Sequence, residues 1–285
     1  MLTTMLLATN NCHEIIKADL KQCENIGLWF NFFTPVYDGK EEVKNFQTRG
    51  TKITENEKSR KAKYKPALLK DLPQTEIQEL LQGFHERKCS FFKQLKSNNY
   101  AVKMVYVKSC SRVAVGMGND HPSENGLSFQ YPLGFPIIPG STIKGITKHY
   151  VEMFCNHQKS DETIQRRIFG SNQNEGQQGS VMFFDAYPCE TVKSLLEYDV
   201  MTPHYGKYYS SEGKNPPADY DSPNIIKFLT VPKDTAFYFQ LSSQNKQDLD
   251  IAWEWFKKAR ATVGIGGKTN VGYGRFSKEE EEVIL

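Results

Sequence analysis

Hydrophobic positions recur along this chain with two periods, and the change of period divides it. In the first third the spacing is helical: Asn11 stands as a cap before 12–24, where Ile15, Ile16, Leu20 and Cys23 share one face. Thr75-Glu-Ile-Gln78 is a capping box, predicting a helix that turns Ile77, Leu80, Leu81, Phe84 and Phe91 inward. From residue 100 to 116 the sequence YAVKMVYVKSCSRVAVG is β-branched and alternates in places, which predicts a strand, and a turn-rich stretch follows over 116–126. Ser141 reads as the N-cap of a helix over 139–155, whose Ile143, Ile146, Thr147, Tyr150, Val151 and Phe154 form one stripe while Lys144 and Lys148 share the other side. Strands are expected over 179–188, 225–231 and 235–242. Asn245 caps a last helix, with Leu249, Ala252, Trp253, Phe256 and Val263 inward, that ends at Gly264 and passes into a glycine-rich closing strand.

From residue 100 the order is therefore β-α-β-β-α-β, which implies an α+β fold with a ferredoxin-like (RRM-like) sheet and helices on one face. RNA-binding modules often use this sheet. The expected division is a mainly helical extension over 1–99 and the ferredoxin-like domain over 100–285, with 210–223 as a loop or projecting hairpin inserted in it.

Composition narrows the classes. No apolar run approaches the roughly 18 residues of a membrane span, and the first residues lack the basic start and long apolar core of a signal peptide, so the chain is read as cytoplasmic with no membrane partner. Six cysteines never form a C-x-x-C pair, which removes zinc-ribbon and redox motifs and leaves reduced thiols, with no cofactor and no metal expected. Net charge is only +3, but ten Lys or Arg lie between Lys40 and Lys70. That run is either a solvated loop or a basic segment ordered by a polyanion. The tail over 278–282, KEEEE, reads as a solvating acidic end.

The stretch 261–276, ATVGIGGKTNVGYGRF, holds five glycines around Gly-Lys-Thr. A nucleotide-binding P-loop needs a glycine where Thr262 stands, a strand before it and a helix after it, and none of these is present, so an NTPase is disfavoured. The loop is then either a tight turn packing the last strand or a place where a sugar-phosphate backbone approaches closely.

Three stretches together resemble a known family: PGSTIKG at 139–145, DVMTPHYGKYY at 199–209 and GIGGKTNVGYGRF at 264–276. They are similar to the signature segments of the RAMP superfamily of CRISPR-associated proteins, and in combination to the sixth subunits of the Cmr, or type III-B, RNA-guided effector complexes. The resemblance spans about 103–276, and Gly267 stands where many relatives have alanine. It implies a non-catalytic, RNA-binding structural subunit in antiviral defence, near the 3′ end of the CRISPR guide RNA (crRNA). The other backbone subunits would be its neighbours and target RNA a further possible partner.

On that reading Gly264, Gly266 and Gly267 let the backbone approach RNA, Lys268, Thr269 and Asn270 donate to phosphate oxygens, and Tyr273 or Arg275 stacks on a base or meets a phosphate. Ser141, Thr142 and Lys144 open a helix whose N–H groups favour an anion, and Arg112 at the end of the first strand is a further phosphate contact. His204 serves either as an RNA contact, as a structural cap, or as the acid–base group of a metal-independent RNA endonuclease of the repeat-processing type. Asp185, Asp199, Asp219 and Asp221 are too scattered in sequence to argue for metal-dependent cutting. A pure scaffold would instead hold neighbouring subunits through Tyr205, Tyr208 and Tyr209 without touching RNA.

Overall fold

The computed structural model describes residues 74–285 except 120, 122–124, 156–158, 172–175, 190–193, 212–213, 219–222 and 224, together with Asn25, Gly27 and Phe30. The expected helix over 12–24 and the basic run between Lys40 and Lys70 lie outside the described residues. Two compact units are formed, one including Gly118–Gly126 and Glu197–Leu229, the other Pro73–Met117, Leu127–Leu196 and Thr230–Leu285.

In the larger unit helix α1 (Gln74–Ser97) leads through a turn with Asn99 at φ 62° into strand β1 (Ala101–Lys108). Then come α2 (Gly140–Phe154), α3 (Lys159–Phe169) and the short antiparallel pair β2 (Gly170–Ser171) and β3 (Gln177–Gln178). Strands β4 (Val181–Phe183) and β5 (Tyr187–Pro188) follow. The smaller unit holds β6 (Glu197–Met201), the single-turn helix α4 (Gly206–Ser210) and β7 (Ile226–Thr230), with β6 paired to β7. Strand β8 (Ala236–Ser243), helix α5 (Lys246–Thr262) and strand β9 (Glu281–Glu282) complete the larger unit. Its sheet runs β4-β8-β1-β9, each neighbour antiparallel, and β5 also pairs with β8.

Alternation along β8 sorts its side chains to opposite faces. Phe237, Phe239 and Leu241 join Trp253 and Phe256 of α5 and Ile143 and Val151 of α2 in the main core, with the Phe239 and Phe256 rings 5.1 Å apart. Tyr238 turns the other way and stacks on His85 of α1 at 4.1 Å, while His85 Nδ1 lies 3.1 Å from the Tyr187 hydroxyl. Leu81 and Phe92 of α1 are wholly buried. Helices thus cover both faces of the sheet, not one as the element order implied. Phe91, expected inward, is 41% exposed and Phe92 replaces it, because the buried face of α1 runs through Leu81, His85 and Phe92 at i, i+4 and i+11.

Three other local expectations change. Helix α2 begins at Gly140, and its first N–H donates to Asp185 Oδ1 at 2.7 Å, while Ser141 makes no capping bond. The expected strand over 179–188 is divided into β4 and β5, with Asp185 in the gap between them. Helix α3 was not predicted, because KSDETIQRRIF offers few apolar positions before Ile168 and Phe169. The glycine-rich segment is not the closing strand: only Phe276 bridges the sheet, to Ser109, and the last strand is β9 in the acidic tail.

That tail is not simply solvated. Arg260 lies on the inward stripe of α5, fully buried, so a carboxylate must come to it, and Glu280 Oε2 accepts from its Nη2 at 2.7 Å. Burial lowers the Arg260 pKa and Glu280 opposes this. Glu280 Oε1 also accepts from Trp253 Nε1 at 3.2 Å. Asn245 caps α5 as expected, accepting from the N–H groups of Gln247 and Asp248. Burial pushes the Asp248 carboxyl up, but hydrogen bonds from Arg167 and Ser180 and the Arg167 charge outweigh it and hold the pKa below the ordinary 3.8.

Glu280→Ala, which strands the Arg260 charge, should destabilise the chain by about 3 kcal/mol, whereas Arg260→Met combined with Glu280→Gln should be near neutral. Denaturant unfolding of both variants measures this, and equal stabilities would show the tail to be undocked. Asp248→Asn should remove stability that is present above the ordinary carboxylate pKa and lost as pH falls through the depressed native value. The gap in melting temperature to wild type should therefore be widest at neutral pH and shrink toward pH 3.

Candidate nucleic-acid interface

The glycine loop is built from the end of α5 outward. Gly264 at φ 84° ends the helix in a left-handed turn, its N–H bonded to Ala259 O at 3.1 Å. Ile265 is buried, and its N–H donates to Gly274 O at 2.8 Å, closing the loop on itself. The loop then packs on the segment after β1: Gly267 N donates to Ala114 O at 2.6 Å, Gly274 N to Arg112 O at 2.8 Å, and Arg275 N to Ser111 Oγ at 2.9 Å. A Cβ at Gly266 would sit 2.4 Å from Ala114 O, and one at Gly274 2.0 Å from Ile265 O, so both glycines are required by chain-to-chain approach.

Gly264, Gly266, Gly267, Lys268, Thr269, Asn270, Tyr273, Arg275 and Arg112, up to 163 positions apart, are thereby gathered at one place in the fold. Lys268 opens a 3₁₀ turn over Thr269–Val271 with φ 57°, a left-handed conformation that costs a lysine about 1 kcal/mol or more. Asn270 is exposed, and Lys268, Thr269 and Tyr273 are half-buried. The Arg275 guanidinium donates to Thr262 O and Thr269 O, so it fastens the loop to the end of α5. The exposed Arg112 borders the loop through its carbonyl.

At the start of α2, Ser141 is exposed and Thr142 and Lys144 are half-buried, and the first amide already faces the Asp185 carboxylate. Lys144 opens onto a groove of about 760 Å³ between α2, α3 and the β2–β3 pair, with Lys148, Arg166, Gln165, Gln177 and Gln178 along it. Two of its cations are loosely paired, Lys148 with Glu152 and Arg166 with Glu162, both at 3.8 Å. Sequence reading missed Gln165 and Arg166 because it missed α3, and Gln177 and Gln178 because it missed β3; the Gln-Arg-Arg run before Ile168 was the available signal.

His204 belongs to the smaller unit. It is exposed, with its ring 6.5 Å from Tyr205, at the entry to α4 on the excursion between β6 and β7. Among the described residues no three His, Cys, Asp or Glu side chains gather in a way that could hold a metal ion, and no helix is long and apolar enough to cross a membrane.

The model of the RAMP superfamily matches residues 106–277. The CRISPR system Cmr subunit Cmr6 of Pyrococcus furiosus is 34% identical, with 59% of this chain and 65% of that protein covered. The Cmr6 subunit of Saccharolobus solfataricus is 31% identical, with 67% of this chain and 62% of that protein covered. The chain thus spans less than two thirds of the length of either relative. A chain in the cryo-EM structure of the Type III-B Cmr-beta bound to cognate target RNA superposes with a TM-score of 0.59 at 25% identity, over 71% of this chain and 67% of that one. With 106–277 matched to its model, this chain belongs to the RAMP superfamily, and the curated relatives it resembles are Cmr6 subunits.

Proposed function

We propose that this chain is a non-catalytic structural subunit of a type III-B Cmr complex in antiviral defence, holding guide RNA near its 3′ end beside the backbone subunits. The sheet order β4-β8-β1-β9, with α2 and α3 between β1 and β4 and α5 between β8 and β9, supports a ferredoxin-like core. One face of that sheet is filled by α1, so the reading rests on the glycine loop instead.

The observation that carries it is Lys268. A lysine in a left-handed position, where glycine would cost less, is locally unfavourable, and such conformations gather at functional sites. The Gly264, Ile265, Gly267, Gly272 and Gly274 amides are bonded within the protein. A phosphate would be met at the apex of the loop, where Lys268, Thr269 and Asn270 supply a cation and side-chain donors. Phosphates carry no base identity, so the contact positions the strand without reading its sequence.

Lys268→Gly should keep or raise the melting temperature while weakening single-stranded RNA binding for all sequences alike, with the log–log salt slope shallower by about 0.7. Gly266→Val, by contrast, should lower the melting temperature, since its Cβ would meet Ala114 O. Salt titrations and melting curves of both variants decide, and an unchanged slope for Lys268→Gly returns the loop to a turn.

The rival reading as an endonuclease rests on His204. Purified chain incubated with guide and target RNA, with and without Mg²⁺, should leave both intact. Cleavage that disappears in His204→Ala would establish the nuclease instead.

A further inference from the structure

Between β6 and β7 the turn around α4 presents three tyrosines within five residues, and the fold makes little use of them. Tyr205 and Tyr208 are each 37% exposed and Tyr209 is 71% exposed. None of the three phenol hydroxyls has a hydrogen-bond partner among the described residues. The turn itself is held: Tyr209 N donates to Tyr205 O at 3.2 Å, Ser211 Oγ to Tyr208 O at 3.2 Å, and Asn215 N to Ser211 Oγ at 3.0 Å. The Tyr208 and Tyr209 rings meet edge to face, 5.3 Å apart at 77°, which leaves flat ring surface open to a third partner.

We propose that this turn is a stacking platform for unpaired bases of single-stranded RNA, a contact additional to that of the glycine loop. Water-facing aromatic surface of this kind marks an interaction site. The composition selects the occupant: in sequence order His204 and Lys207 fall among the tyrosines, and no Asp or Glu falls within 200–211. Single-strand sites are built from a π-face for each base and cations for the phosphates between them. Every base has a π-face, so this contact, like the loop, tolerates any sequence; its stacking part carries no charge, so removing a ring leaves the salt dependence as it was. The proposal rests on the RNA-binding reading above.

The test is binding of the full-length chain to a single-stranded RNA oligonucleotide carrying 2-aminopurine, across a salt series, for wild type, Tyr209→Ala, Tyr209→Phe and Lys268→Gly. Tyr209→Ala should weaken binding by about fivefold to a hundredfold and relieve the 2-aminopurine quenching, with the salt slope unchanged. Tyr209→Phe should restore both affinity and quenching, because it keeps the ring and loses only a hydroxyl with no hydrogen-bond partner among the described residues. Wild-type affinity in Tyr209→Ala would overturn the platform while leaving the loop reading to Lys268→Gly; failure of Tyr209→Phe to rescue would overturn stacking. If wild type binds no RNA, both readings fall. Loss of a neighbouring Cmr subunit by Tyr209→Ala with RNA binding intact would assign the tyrosines to a protein contact and sink the proposal.

Discussion

All eight residues of β8 are buried, and the layering of the larger unit follows from that. A strand buried on both faces needs cover on both. On one side Phe237, Phe239 and Leu241 are met by α2 and α5; on the other Tyr238 is met by His85 of α1 and by Tyr187. Gln240 and Ser242 point to this second side too, and their side chains have no hydrogen-bond partner among the described residues, a cost that hydrophobic contacts of Leu81 and Phe92 must offset. Helix α1 therefore belongs to the core of the unit, although in sequence it precedes the β-α-β-β-α-β run.

The same crowding shapes the loop. Once α5 packs on β8, the chain must turn sharply at Gly264, pass against 112–117 and return to Phe276, which packs against Phe237 and Phe239. Only glycine fits where backbone meets backbone, at Gly266 and Gly274. Gly266 and Gly274 thus answer to packing, and the exposed part of the loop is its apex over 270–272, with Lys268 and Thr269 half-buried beside it. Turn and RNA contact, which the sequence left as alternatives, are compatible: a rigid turn is what holds a lysine in one place.

Covering the second sheet face moves any nucleic-acid contact to the periphery. Within the larger unit, the polar groove beside Lys144 and the loop apex around Lys268 both lie outside the sheet.

The sequence by itself determined the elements whose signals are local. Asn245 caps α5 because a side-chain acceptor two and three residues ahead of free N–H groups needs no distant partner; Leu249, Ala252, Trp253 and Phe256 fall inward because 3.6-residue spacing does. It also carried the family through three short segments. What only the tertiary structure decided depends on partners far along the chain. Asp185 displaces Ser141 as the cap of α2 from 45 residues away, and Phe92 displaces Phe91 because the sheet, not the helix, selects the buried face. The acidic tail forms the edge strand because a buried guanidinium on α5 requires Glu280. A period or a cap is written in neighbouring residues; the carboxylate that a buried charge will recruit is set by which chain segments the fold brings beside it.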